Sequence, residues 1–154
     1  MTATADQQLN HAIDILSQLV SFESLPGRPT HGIIGYIKNY LSKYGVQSHL
    51  SFDEARERAN LYATIGPEID GGVVLNGHTD VVPVQGQQWS TDPFTLTRKN
   101  NRLYGRGSVD IKGYLACVLA AVPDWQTAEL KKPIHIAFTF DEEIGGFGLS
   151  LIHI

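Results

Sequence analysis

The sequence predicts an α/β domain built on a mixed, largely parallel sheet flanked by helices. Two stretches near the N-terminus place apolar residues at helical spacing, several short apolar or alternating runs further on read as strands, and the two patterns interleave along the chain. With 154 residues, 42% of them hydrophobic, the chain is long enough to bury one core and reads as a single folded unit.

Taken in order, Leu9, Ala12, Ile13, Leu16, Leu19 and Val20 form the apolar stripe of a first helix. Pro26, Gly27 and Pro29 break the chain into a loop. A second helix carries Ile33, Ile34, Ile37, Leu41 and Tyr44 on one face, with Gly45 placed to end it. Val46, Ser48, Leu50 and Phe52 alternate with Gln47, His49 and Ser51, the pattern of a half-buried strand. Leu61 to Ile65 is a second strand, closed by Gly66-Pro67. The continuous run Val73-Val74-Leu75 predicts an inner strand buried on both faces. Leu96 and Leu103 flank the turn-prone Asn100-Asn101, which predicts a small hairpin. Tyr114 to Val122 is apolar nearly all round and predicts a buried helix, with Cys117 inside it as a small hydrophobe rather than a nucleophile. Ile134 to Phe140 is the last strand.

Bulk properties narrow the function classes. The net charge of −4, with acids and bases interspersed, argues against a nucleic-acid partner, which selects a basic patch. One cysteine allows no intrachain disulfide and suits a reducing cytosol. No apolar run approaches the ~18 residues of a membrane span, and Met1 to Gln8 lacks a signal-peptide layout. The expectation is a cytoplasmic protein with no membrane partner.

Three segments carry the chemistry, each just after a predicted strand or just before a predicted helix, where open α/β sheets bind ligands. In Gly77-His78-Thr79-Asp80, residues two apart in extended chain point the same way, so Asp80 can reach the ring or backbone of His78. A lone histidine of this kind is more often a satisfied polar residue than a metal ligand. Gly105-Arg106-Gly107-Ser108-Val109-Asp110-Ile111-Lys112-Gly113 runs into the Tyr114 helix; its glycines permit a close backbone approach, and Asp110 alone would pass as a helix cap. Asp141-Glu142-Glu143 leaves the last strand for a glycine-rich loop. It reads either as a solvated acidic tip or as a site where one glutamate binds metal while its neighbour faces water. Together the segments offer one imidazole and several carboxylates, the donor set that suits zinc, and this joint placement favours a metal site.

These segments resemble the zinc-dependent M20-type amidohydrolases and peptidases. The likeness rests on Gly77-His78-Thr79-Asp80-Val81-Val82-Pro83, Trp89 with Asp92-Pro93-Phe94, Tyr104-Gly105-Arg106-Gly107 with Asp110 and Lys112-Gly113, and Asp141-Glu142-Glu143-Ile144-Gly145. They stand in family order over roughly residues 9–148, a specific signal where a single motif would be weak. Flanking text such as Ala59-Asn60-Leu61, Val84-Gln85-Gly86-Gln87 and Leu115-Ala116 is most similar to the acetylornithine deacetylases of that family.

The resemblance implies two Zn²⁺ ions per complete catalytic domain, with Co²⁺ as a possible substitute. It implies His78 as a ligand of one metal, Asp110 as the bridging carboxylate, followed by a cis peptide bond, and Glu143 as a ligand of the other. It implies Glu142 as general base and Asp80 as the residue that orients His78. The implied reaction is hydrolysis of the amide of an N-acyl amino acid, N-acetylornithine to ornithine and acetate in arginine biosynthesis, with a desuccinylase, aminoacylase or metallopeptidase as the enzyme alternatives. The other alternative is a non-catalytic metal-binding fragment. The family pattern also calls for a further acidic ligand, a late histidine and a lid and dimerisation domain. Residues 1–154 are therefore expected to be the incomplete N-terminal part of the catalytic domain, inactive alone, within a homodimeric parent, with 149–154 a truncated or non-native end. Trp89 and Phe94 are expected either to wall the site or to pack a loop, His135 to be structural, and His11, His31 and His49 to lie at the surface.

Overall fold

A computed structural model describes residues 4–146. The expected end segment 149–154 lies outside the described residues. Helix α1 spans Ala5–Ser21 and begins on a capping box, the Thr4 side chain accepting from the Gln7 backbone while Gln7 accepts from Thr4 N–H. It buries Ile15, Leu16, Leu19 and Val20, while Leu9 is exposed. Helix α2, His31–Lys43, ends before Gly45, which takes φ +73°. Strands β1 (Ser48–Phe52), β2 (Ala59–Ile65) and β3 (Val73–His78) follow. A hairpin of β4 (Thr97–Lys99) and β5 (Arg102–Tyr104) turns at Asn100 and Asn101, both at positive φ, the conformation that favours asparagine there. Helix α3 is Lys112–Thr127, strand β6 is Ile134–Thr139, and a single 3₁₀ turn at Glu142–Ile144 closes the described chain.

The main sheet is mixed, in the order β1-β2-β6-β3. The β1–β2 and β2–β6 pairings are antiparallel, and the β3–β6 pairing is parallel. One face carries Leu61, Ala63, Ile65, Ile136 and Phe138, all buried in one cluster with the apolar stripes of the three helices. The opposite face presents Tyr62, Thr64 and His135, which hydrogen-bond one another instead. His135 is thus structural, and His11 likewise has a partner, the Tyr40 hydroxyl 2.7 Å away.

Two expectations change. Among the described residues, strand β3 is not an inner strand: it stands at the edge of the described sheet, and Val73 and Val74 are 55% and 60% exposed. Among the described residues nothing pairs with its free edge. Cys117 is exposed on α3, because the helix buries Leu115, Ala116, Val118, Leu119 and Val122 and turns the thiol outward.

The parallel β3–β6 pair does the positioning. Its register, Val73↔Ile134 through His78↔Thr139, brings both strands to their C-terminal ends side by side. The segments leaving those ends are therefore neighbours, which is how the residues following His78 and Thr139 come to face each other. Helix α3 reaches this corner because Gly77 has no side chain: a Cβ there would lie 2.7 Å from Leu115 Cδ2 and 2.8 Å from Ile111 Cδ1.

Candidate metal centre

His78 sits at the last position of β3 and is buried. Its Nδ1 is 2.9 Å from the backbone oxygen of Asp80 and 3.6 Å from the Asp80 carboxylate. A carbonyl oxygen only accepts, so Nδ1 carries the proton and Nε2 is the nitrogen turned to the site. Nε2 meets Asp110 Oδ1 at 3.1 Å and Glu142 Oε2 at 3.7 Å. A bare nitrogen lone pair facing carboxylate oxygens is repulsive. The arrangement is favourable only with a proton or a cation between them.

The electrostatics agree. Burial presses the His78 pKa down, but hydrogen bonds and charge from Asp80, joined by the Asp110 hydrogen bond, outweigh it and push the ring up to about 9. Glu143 is raised above the usual carboxylate range, first by burial and then by the neighbouring Asp110, Asp80 and Glu142 charges. Asp80 is held low despite its burial by hydrogen bonds from His78 and the Glu143 backbone. Donor atoms of His78, Glu142 and Glu143 lie within 4.8 Å of one another, and Asp110 adjoins them through His78 Nε2. One imidazole whose proton affinity is raised where positive charge is needed, and the carboxylates clustered around it, form a donor set that fits a divalent metal.

The turn bearing the glutamates is held by Asp80, whose two carboxylate oxygens accept the backbone N–H groups of Glu142 at 3.3 Å and Glu143 at 3.0 Å. Asp80 therefore orients the histidine and fixes the acidic turn at once. Asp110 lies in the turn before α3 and its side chain is 70% exposed; the helix N-cap is Ile111, with no side-chain cap, and the Asp110–Ile111 peptide bond is cis. All five residues singled out in the sequence, His78, Asp80, Asp110, Glu142 and Glu143, are brought to this corner.

Sequence reasoning missed the frame behind them. Lys112, at the end of the glycine-rich segment leading into α3, is fully buried; its Nζ donates to Phe22 O at 2.8 Å, and burial, opposed by the Asp80 charge, pulls its pKa down to about 7. Ser24, in the loop after α1, donates from Oγ to Thr79 O at 2.6 Å and accepts Val81 N–H at its own carbonyl at 3.0 Å. Together these contacts tie the segment after α1 to the turn that follows β3, through Ser24, and to the start of α3, through Lys112. The one signal for them in the sequence is a lysine, Lys112, at the start of an otherwise apolar helix. Trp89 packs its own loop: its Nε1 donates to Gln87 Oε1 at 3.1 Å, and the Arg106 guanidinium lies 5.1 Å from its ring centroid and also binds Gln87.

With this geometry in place, the model of peptidase family M20/M25/M40 matches residues 74–153, just over half the chain and all of the corner described above. The chain belongs to that family. It is 36% identical to the acetylornithine deacetylase of Proteus mirabilis over 138 residues, 85% of this chain and 35% of that protein. It is 41% identical to the acetylornithine deacetylase of Pasteurella multocida over 112 residues, 72% of this chain and 29% of that protein. The chain thus spans about a third of the length of the curated relatives it matches. Among solved structures, the M20 family metallo-carboxypeptidase Sso-CP2 of Sulfolobus solfataricus superposes with a TM-score of 0.72 at 28% identity, over 94% of this chain and 33% of that one. Human carnosine dipeptidase 1 gives a TM-score of 0.80 at 24% identity over 96% of this chain and 35% of that one, a likeness of fold. Among the described residues, no helix is long and apolar enough to cross a membrane.

Proposed function

We propose that this chain is the N-terminal part of the catalytic domain of a zinc-dependent amidohydrolase that removes the acyl group from an N-acyl amino acid, with N-acetylornithine as the preferred substrate. The observation that carries the reading is the strand-end corner: His78 Nε2 facing Asp110 and Glu142, beside Glu143. The substrate rests on the two deacetylase relatives at 36% and 41% identity.

In this reading His78, Asp110 and Glu143 hold the metals, with further ligands from the rest of the full-length protein. The chemistry such ions bring is Lewis acidity, which polarises a carbonyl and makes water acidic enough to ionise near neutral pH. The chain's own residues do the rest. Asp80 takes the Nδ1–H of His78 on its backbone oxygen and so keeps Nε2 directed at the site. Glu142, whose side chain is half exposed, accepts the proton of the attacking water on its carboxylate and returns it to the departing amine. The same Asp80 carboxylate holds the Glu142 backbone, so base and ligand keep a fixed relation.

The test is a substrate panel on the full-length protein and its Glu142→Gln variant: N-acetylornithine, other N-acetyl and N-succinyl amino acids, and dipeptides. Turnover of N-acetylornithine that drops about 10²–10⁴-fold in Glu142→Gln, with metal content by mass spectrometry unchanged, is the expected result. Preference for a dipeptide would transfer the reading to a metallopeptidase, which the likeness to Sso-CP2 favours as the second candidate. Metal loss in Glu142→Gln, with activity restored by added metal, would exchange the roles of the two glutamates. The 154-residue chain alone is expected to show no turnover.

A further inference from the structure

Beyond the metal corner, a second charged cluster stands behind the acidic turn. Asp53 follows β1, and its Oδ1 accepts the backbone N–H groups of Glu57 at 2.9 Å and Arg58 at 3.1 Å. That closes the β1–β2 connection into a rigid loop. Asp53 Oδ2 accepts Arg58 Nε at 2.9 Å. The guanidinium reaches onward: its Nη1 donates to Asp141 Oδ2, and its Cζ lies 5.2 Å from the Phe140 ring centroid. Asn60, two residues later on β2, accepts Phe140 N–H on its side-chain oxygen at 3.1 Å.

The placement of these contacts is specific. The antiparallel β2–β6 ladder runs from Ile65↔Ile134 to Leu61↔Phe138 and stops. Beyond it, where β6 must leave the sheet to form the acidic turn, side chains of β2 and its approach take over from the ladder, Asn60 on Phe140 and Arg58 on Asp141. Asp141 is a non-glycine residue in the left-handed region, φ +63°, and its carbonyl accepts Gly146 N–H at 2.7 Å. A residue in that conformation persists where its surroundings hold it, and its side chain is only 6% exposed against Arg58. Glu142 and Glu143 come next. The acidic turn is therefore gripped from both sides, by Asp80 on the metal side and by Arg58 on the far side.

We infer that Arg58, braced by Asp53, is a positioning residue that sets Glu142 and Glu143 in place through Asp141. It touches neither glutamate side chain and acts through the turn it clamps. Arginine suits the task because its planar fork serves two carboxylates at once, a geometry lysine's single ammonium does not reproduce. The inference rests on the metal-hydrolase reading for its consequence, though not for the clamp itself.

The test compares the unaltered full-length protein with Arg58→Gln, Arg58→Lys and Asp53→Asn, using Co²⁺ alone as probe. Arg58→Gln is expected to weaken Co²⁺ binding about 10–100-fold and to change the visible absorption of the bound ion. Arg58→Lys should recover part of the loss, and Asp53→Asn should fall between it and the unaltered protein. In the metal-free protein, amide exchange at Glu142, Glu143 and Gly146 should quicken in Arg58→Gln while amides in the middle of β2 and β6 stay protected. A role in stability alone would lower the melting temperature and leave cobalt affinity, cobalt spectrum and turn-specific exchange unmoved, and that result overturns the inference. If Arg58→Gln does not fold, the Asp53→Asn and Arg58→Lys variants decide by the same readouts. Should the unaltered protein take up no cobalt, the metal reading fails, and the exchange comparison still decides whether Arg58 holds the turn.

Discussion

The two ends of β3 invert the usual relation between hydropathy and burial. At its start Val73 and Val74 are more than half exposed, while His78 at its end, and Thr79 and Asp80 just beyond, are 7%, 0% and 2% exposed. Burying polar groups is costly unless each finds a partner, and at the C-terminal end each does. Thr79 N–H and Oγ both donate to Thr139 O, at 2.8 and 2.9 Å, Thr79 O accepts from Ser24, and Asp80 is engaged by His78 and two backbone N–H groups. At the other end the valines face open space because no described strand or helix lies over that edge. Burial along this strand follows the site and not hydropathy.

If the polar end is held by Asp80, its removal should have the largest effect on the comparison. Asp80→Asn keeps the shape but loses charge and one acceptor, so neither His78 nor the Glu143 backbone is held as before. Metal affinity of the full-length protein, measured by competition with a chelating dye, is expected to fall about 10–100-fold. An affinity unchanged within twofold would mean that the backbone oxygen of Asp80 suffices to orient His78.

Next comes the backbone beneath that end. Gly107 adopts φ +77°, and a Cβ added there would lie 2.6 Å from Val81 Cγ1 and 3.2 Å from Lys112 Cδ. Gly107→Ala must both strain the backbone and push against two buried groups, at a cost of about 1–3 kcal/mol. Urea unfolding of the chain measures it. A loss below about 0.5 kcal/mol, the scatter of ordinary surface substitutions, would show the corner to be looser than its burial suggests.

Proton competition sharpens the same point. In the metal-free chain the folded His78 pKa is about 9 against an ordinary 6.5. Its contribution to stability is therefore full below pH 6.5 and lost as pH rises through 9. Lys112 acts oppositely: its folded pKa of about 7 against an ordinary 10.5 penalises the folded state below pH 7 and relaxes as pH rises towards 10.5. The two overlap between pH 7 and 9, so melting curves blur them. Metal affinity isolates His78, because the ring must shed its proton to bind, and it should rise about tenfold per pH unit up to the histidine pKa. A flat affinity from pH 7 to 9 would mean that the displaced proton is not on His78.

Much of this was legible in the sequence, for identifiable reasons. Periodicity and short apolar runs located both early helices and all four main strands, and Asn100-Asn101 gave the hairpin because positive φ at two successive positions leaves few residue choices. The three motif segments were found because unlike chemistry accumulates at strand ends. Three things were not legible. An apolar run such as Val73-Val74-Leu75 records what a strand expects to meet, and nothing in it says whether the covering element lies among the residues at hand. Cys117 looked buried because α3 is apolar almost all round, so the pattern did not show which side faced the sheet. Arg58 and Ser24 act across sequence separations of 83 and 55 residues, through contacts that leave no local pattern.

The exposed end of β3 supplies the smallest effect and the test of the proposal that the chain is part of a larger domain. Val74 is 60% exposed, and in the 154-residue chain Val74→Thr should change unfolding free energy by no more than about 0.5 kcal/mol, as for other surface substitutions. Parallel strand pairs are ordinarily covered on both faces, and the relatives are about three times as long as this chain. In the full-length protein the same substitution should therefore place a hydroxyl against packed apolar neighbours and cost about 1–3 kcal/mol, the usual penalty for a buried polar group left unpaired. Equal, small effects in both would mean that this edge faces water in the complete protein too. A large effect already in the short chain, lost on dilution, would mean that two copies cover the edge for each other.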